Sequence, residues 1–215
     1  MVRNDAANYG SVRFIPGERR ILTIDGKGAV LTVDVDTGRA TPAYCCSSIW
    51  GDVELFDQGR QAVWAGHWPG IWDFPANRLV GRLTAQREFM TFGPIAIDAA
   101  EEQVFLGSQD GHVYRWSLKT RELLSKSSPL PDYVMTVSVL GTSGWIAYAS
   151  RPGVVRLWNP RAGAHRIVPA ARASSNIAFD QRRGLSAFGT ELGTIEYWDL
   201  PNGRLVDTKA FSHSR

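Results

Sequence analysis

Short apolar runs separated by polar turns fill this chain, and the runs repeat. The third run of each copy ends in a large apolar residue: Trp72, Trp116, Trp158 and Trp198, with Val33 in an earlier copy. These five positions lie 39, 44, 42 and 40 residues apart. A recurrence near 40 residues is the mark of small sheets set side by side rather than one large core.

The copies align beyond that residue. An apolar residue stands 19 positions earlier in four of them: Phe14, Ile97, Val139 and Phe179. The second copy has Leu55 there and is two residues shorter. Each belongs to an alternating triplet: Val12-Arg13-Phe14, Val53-Glu54-Leu55, Ile95-Ala96-Ile97, Val137-Ser138-Val139 and Ile177-Ala178-Phe179. Alternation rich in β-branched residues predicts a strand. After a turn comes a second run: Arg20 to Ile24, Gln61 to Ala65, Gln103 to Gly107, Trp145 to Ala149 and Leu185 to Gly189. A tight loop with a glycine (Gly28, Gly111, Gly153, Gly193) then leads into the Trp strand.

Five residues after the Trp position stand Gly38, Asn77, Arg121, Gly163 and Gly203. Gly and Asn suit the left-handed backbone of a tight turn, and Arg121 fits it poorly. A less regular fourth strand follows: Arg39 to Cys46, Arg78 to Thr84, Glu122 to Lys126, His165 to Ala170 and Arg204 to Phe211. No helical periodicity is present. The reading is an all-β chain, a β-propeller of five four-stranded blades in a single domain over 1–215. The repeats run over about 9–46, 47–86, 87–128, 129–170 and 171–211. The last fourth strand has no following copy, so Leu205 to Phe211 is expected to pair with Ala29 to Val35 and close the ring. Closure would remove an exposed sheet edge. Arg13 and Glu54 hold the same place in adjacent copies and are expected to form an ion pair between them.

The repeats resemble WD repeats, and the resemblance covers nearly the whole chain. The Trp-Asp ending stands at Trp72-Asp73 and Trp198-Asp199, with variants at Trp116-Ser117, Trp158-Asn159 and Val33-Asp34. The segment from Ser108 to Trp116 follows the family's loop-and-strand motif. The family often places an Asp in the tight loop; here only Asp110 matches. Lys27, Gly66, Pro152 and Leu192 fill the equivalent positions, so the repeats are degenerate. The resemblance implies a propeller that binds a protein or peptide on one face.

Composition changes this picture little. The 215 residues carry 44% hydrophobic residues and a net charge of +3. Arginines number 20 against 4 lysines, a bias that does not by itself mark a nucleic-acid surface, and no nucleic-acid partner is expected. The N-terminus lacks the apolar stretch of a signal peptide, and no run is long enough for a membrane helix. Cys45 and Cys46 are adjacent and would point to opposite faces of a strand, so two reduced thiols in a cytoplasmic protein are expected.

The histidines His67, His112, His165 and His213 are scattered without metal-ligand spacing. No nucleophile elbow or phosphate loop is present. The expectation is a protein that is not an enzyme and uses no cofactor or metal. Candidate partner-binding residues are those of the loops before the Trp strands: Lys27, His67, Trp68, Asp110, Arg151 and Glu191. They differ in chemistry from copy to copy, whereas the frame repeats, and diversity on a repeated frame suits a binding surface. Trp68 sits in Gly66-His67-Trp68-Pro69-Gly70 and is expected to be exposed; Trp64 is expected to pack inside its strand. The reading is a non-catalytic interaction scaffold. The alternatives are a small-ligand or carbohydrate-binding propeller, or a regulatory propeller from a larger signalling protein. The first alternative would place like residues at equivalent loop positions, which this chain does not. The sequence leaves monomer and homodimer both open.

Overall fold

A computed structural model describes residues 12–24, 29–45, 52–74, 76, 78–83, 92–150, 154–168, 173–180, 185–190 and 192–210. Each repeat builds one four-stranded antiparallel sheet, its strands in chain order. The first sheet holds β1 (Val12–Phe14), β2 (Arg20–Ile24), β3 (Ala29–Asp34) and β4 (Ala40–Cys45). The second holds β5 (Val53–Phe56), β6 (Gln61–Trp64), β7 (Gly70–Asp73) and β8 (Arg78–Arg82). The third holds β9 (Phe92–Asp98), β10 (Gln103–Ser108), β11 (Val113–Ser117) and β12 (Leu123–Lys126). The fourth holds β13 (Val134–Val139), β14 (Ile146–Ser150), β15 (Val154–Asn159) and β16 (Ala164–Val168). The fifth holds β17 (Ala173–Asp180), β18 (Leu185–Thr190), β19 (Thr194–Asp199) and β20 (Arg204–Ala210).

The recurring tryptophans are packing anchors. Trp72, Trp116, Trp158 and Trp198 are all buried. Each brings a large apolar surface to a sheet too thin to bury both faces alone. Trp158 stacks on His165, its partner on β16, with ring centroids 6.3 Å apart. Burial, then the charge of Arg156, pulls the His165 imidazole below its usual value. Trp198 stacks on Phe188 at 6.0 Å and donates its indole N–H to the buried Glu196 carboxylate at 2.7 Å.

The residue after the Trp position has a second duty, which explains the tolerated variants. Asp34 accepts from the amides of Asp36 and Thr37 at 3.1 and 2.7 Å. Those bonds hold its carboxyl below the usual range, the Thr37 amide most of all. Asp73 accepts from Ala76, Ser117 from Thr120, Asn159 from Arg161 and Ala162, and Asp199 from Asn202. Asp, Ser and Asn all supply a side-chain oxygen that caps the following turn. The turn then needs one left-handed residue, and Gly38, Gly163 and Gly203 provide it with φ of 68°, 63° and 66°. Arg121 takes the same conformation at φ 64° in spite of its side chain. That side chain lies over β8, where a Cβ on Gly81 would come within 2.6 Å of its Nε. Asn77 is outside the described residues.

The expected closure by strand exchange is corrected. β3 is hydrogen-bonded on both edges, by β2 and β4, and β20 is carried by β19. The first repeat supplies its own fourth strand, so β3 has no edge left for Leu205 to Phe211.

The chain divides into two compact units, Met1–Leu106 with Arg115–Leu124, and Gly107–Tyr114 with Ser125–Arg215. In the first, Ile15, Leu22, Ile24 and Val30 pack with Val53 and Ala62 of the second sheet. In the second, Leu140, Ala147, Ala149, Val155 and Leu157 pack with Phe188, Trp198 and Leu200. Within the first unit the expected ion pair is present: Arg13 Nε donates to Glu54 Oε2 at 2.6 Å, and Asp52 lies 3.6 Å from the guanidinium. Burial opposes the Arg13 charge, but the bond to Glu54 and the two carboxylates outweigh it and raise its pKa. Burial also pushes the Glu54 carboxyl up, and Arg13 only partly offsets it. A carboxyl raised on folding contributes stability that is fully present below its unfolded value and fades as pH rises through its folded value.

Candidate functional site

The two missing residues of the second copy come out of one hairpin. Ile21 pairs with Val33, Ile146 with Trp158 and Ser186 with Trp198, but Ala62 pairs with Trp72. The β6–β7 connection is therefore the short one, and it carries Gly66 to Pro69. Its frame is fixed from below. Ala65 donates to the Asp52 carbonyl at 2.8 Å, and Leu83 donates to that of Pro69 at 2.9 Å. Trp64 is buried, as expected from sequence, and its ring occupies the space a Gly70 Cβ would need, 2.6 Å away. Gly70 is thus required by the neighbouring indole.

On this frame His67 and Trp68 face solvent. Trp68 is 53% exposed. The guanidinium carbon of Arg82 stands 5.1 Å from the centre of its ring, within reach of a cation–π attraction. Arg82 was not singled out from sequence. Its place is set by the strand register: it lies opposite Gly70, across the β7–β8 ladder from the end of the hairpin. The pair forms a flat aromatic-cation plate, and exposed Trp and Arg are the residue types that dominate binding hot spots.

The same position in the third sheet is built differently. Asp110 accepts from the His112 amide at 3.1 Å and from the Tyr114 hydroxyl at 2.7 Å. His112 Nδ1 lies 2.7 Å from the Ser127 carbonyl, and Ser127 Oγ accepts from the Val113 amide at 2.8 Å. Gly111, at φ 81°, sits so close to the following chain that a Cβ would lie 2.4 Å from the Leu130 carbonyl oxygen. The Asp110 carboxylate is thus engaged within its own loop. In the fifth sheet Thr190 and Thr194 share a hydroxyl contact of 2.7 Å in place of such an acid, and Leu192 is exposed.

Of the six candidates, His67 and Trp68 come together in one hairpin and Asp110 belongs to another. Lys27, Arg151 and Glu191 lie outside the described residues, as do Cys46 and His213. Among the described residues, no group of three or more His, Cys, Asp or Glu could hold a metal ion. No described helix is long and apolar enough to cross a membrane.

Neither a protein-family model nor a curated protein matches the sequence. Solved structures do match the fold. The WD40 repeats of RRP9 superpose with a TM-score of 0.78 at 15% identity, over 97% of this chain and 65% of that one. A chain of the mitotic checkpoint complex gives 0.75 at 14% identity, over 88% of this chain and 60% of that one. U3-55K gives 0.72 at 14%, over 97% and 66%. The chain therefore spans less than two thirds of the length of each. The repeated four-stranded sheets with buried Trp anchors and capped turns, together with these likenesses, give this chain the fold of the WD40-repeat β-propellers.

Proposed function

We propose that the chain is a non-catalytic scaffold that takes a protein or peptide on the hairpins preceding its Trp strands. The observation that carries this reading is Trp68, an indole left 53% exposed in the one hairpin shortened relative to the repeat. Its packing role in the frame is already filled by Trp64 and Trp72, so Trp68 is free to serve a surface. Arg82 stands over the ring, and more than half of the Trp68 side chain remains open to solvent. The preceding hairpins differ in chemistry from sheet to sheet, which suits one extended partner better than a ligand repeated in every sheet. Support from the solved structures is at the level of fold.

The test is affinity capture with the purified wild-type chain and with Trp68→Ala and His67→Ala, followed by measured affinities for each captured protein. A partner of this hairpin is retained by the wild type and weakened at least tenfold by Trp68→Ala. If every captured protein binds both variants at wild-type affinity, the hairpin is not the contact.

A further inference from the structure

The first compact unit holds a second feature, at the other end of the second sheet from the Trp68 hairpin. Connections alternate between the two ends of an antiparallel sheet, so the β5–β6 turn lies opposite the β6–β7 hairpin. Between the β1–β2 turn and the β5–β6 turn is a cleft of about 360 Å³, lined in part by apolar Ile15, Pro16 and Phe74 and by charged Glu18, Arg20 and Arg60. That volume is in the range of small-ligand and side-chain pockets, roughly 300–1,000 Å³.

The backbone at its edge is unusual. Asp57, Gln58 and Gly59 are all left-handed, with φ of 50°, 54° and 84°. Among the described residues no other three in a row share this conformation. Two of them carry side chains that disfavour it, and strain of this kind gathers at binding sites more than in plain turns. The turn is pressed against the β1–β2 turn: a Cβ on Gly59 would lie 2.6 Å from Pro16 Cδ. It also fixes Arg60, whose amide donates to the Asp57 carbonyl at 3.0 Å and whose carbonyl accepts from the Phe74 amide at 3.0 Å.

The charges are not equivalent. Arg20 Nε donates to Glu18 Oε2 at 2.5 Å, so that pair neutralises itself. Arg60 has an anchored backbone, yet its side chain has no hydrogen bond or ion pair among the described residues. The cleft thus offers one uncompensated guanidinium, on an anchored backbone, beside an apolar wall. A nucleic acid needs several cations along its backbone, and this cleft offers one that is not already paired. We infer that the cleft binds an extended peptide segment carrying a carboxylate side chain next to an aliphatic one, the carboxylate on Arg60 and the aliphatic group against Phe74 and Pro16. This site is independent of the Trp68 hairpin.

The experiment is a titration of the full chain followed through the arginine Nε–H signals by NMR. The probes are blocked tetrapeptides with a central Glu-Leu or Leu-Glu, their Gln counterparts, and sodium acetate. The expected result is saturable binding of at least one acidic peptide with movement of the Arg60 signal. The Gln counterpart and the Arg60→Gln variant should each weaken it by at least about tenfold, as loss of a charge-assisted contact requires, and Trp68→Ala should leave it unchanged. Three results would overturn the inference: acetate matching the peptide in affinity and in the Arg60 shift, Arg60→Gln binding as wild type, or no acidic peptide saturating by about 10 mM. Arg60 is exposed and unpaired among the described residues, so a wild-type melting temperature for Arg60→Gln confirms that the comparison is made between folded chains.

Discussion

The hairpins before β7 and before β11 occupy the same place in the repeat and are closed in different ways. In the third sheet the loop from Ser108 to His112 spends its polar groups on itself. Asp110 takes the His112 amide and the Tyr114 hydroxyl, and Ser127 closes the network from the next segment. In the second sheet the equivalent loop is shorter, lacks an acid, and holds its backbone through Ala65 and Leu83 instead. Its exposed side chains include Trp68. A repeated frame needs each hairpin closed, but it does not dictate whether side chains or backbone close it. Where backbone does the closing, a large side chain such as Trp68 can stay exposed.

The largest effect that would test this contrast is at Gly111. An alanine there meets the left-handed penalty, about 1–2 kcal/mol, and also displaces a backbone oxygen 2.4 Å away. Together these should cost about 3 kcal/mol, a fall in melting temperature of roughly 6–12 °C. Gly193 is the control. It has a similar φ of 73°, but nothing lies within 4 Å of its would-be Cβ. Gly193→Ala should therefore cost only the backbone term, about 1–2 kcal/mol. Equal losses at the two sites would mean that the third-sheet loop is no more tightly enclosed than the fifth.

Asp110→Ala comes next. It strips the acceptor from the His112 amide and the Tyr114 hydroxyl, both partly buried, and should cost about 2 kcal/mol in a denaturant titration. Tyr114→Phe alone should cost about 1 kcal/mol. Because the two residues share one bond, the double variant should lose measurably less than the sum of the singles. Strict additivity would show that the loop is not closed by that network.

Much of this was legible in the residues. The strand triplets, the Trp period and the shortened second copy predicted twenty strands in five sheets, and the observed β2 matches its expected bounds of Arg20 to Ile24. The Arg13–Glu54 pair also followed from equal positions in adjacent copies. What could not be read was anything set by three-dimensional register. Arg121 looked wrong for its turn because its compensation, packing over Gly81, lies on another sheet. Arg82 gained its meaning only once the β7–β8 ladder placed it beside the hairpin of Trp68. The closing strand exchange failed because the fourth strand expected at Arg39 to Cys46 forms, as Ala40–Cys45, and takes the edge of β3 that the exchange would have needed.

Trp68 should give the smallest stability effect of all, and that is its diagnostic value. Removing a buried tryptophan costs about 3–5 kcal/mol. Trp68 is more than half exposed, and its ring meets Arg82 in an exposed cation–π contact of about 0.5–1 kcal/mol. Trp68→Ala should therefore shift the denaturation midpoint by no more than that, with an unchanged denaturant slope. Arg82→Ala should produce a loss of the same size, and the double variant should lose no more than either single one, since both remove one contact. A loss near that of a core tryptophan would place Trp68 in the frame with Trp64 and Trp72, and the two hairpins would then differ in length alone rather than in use.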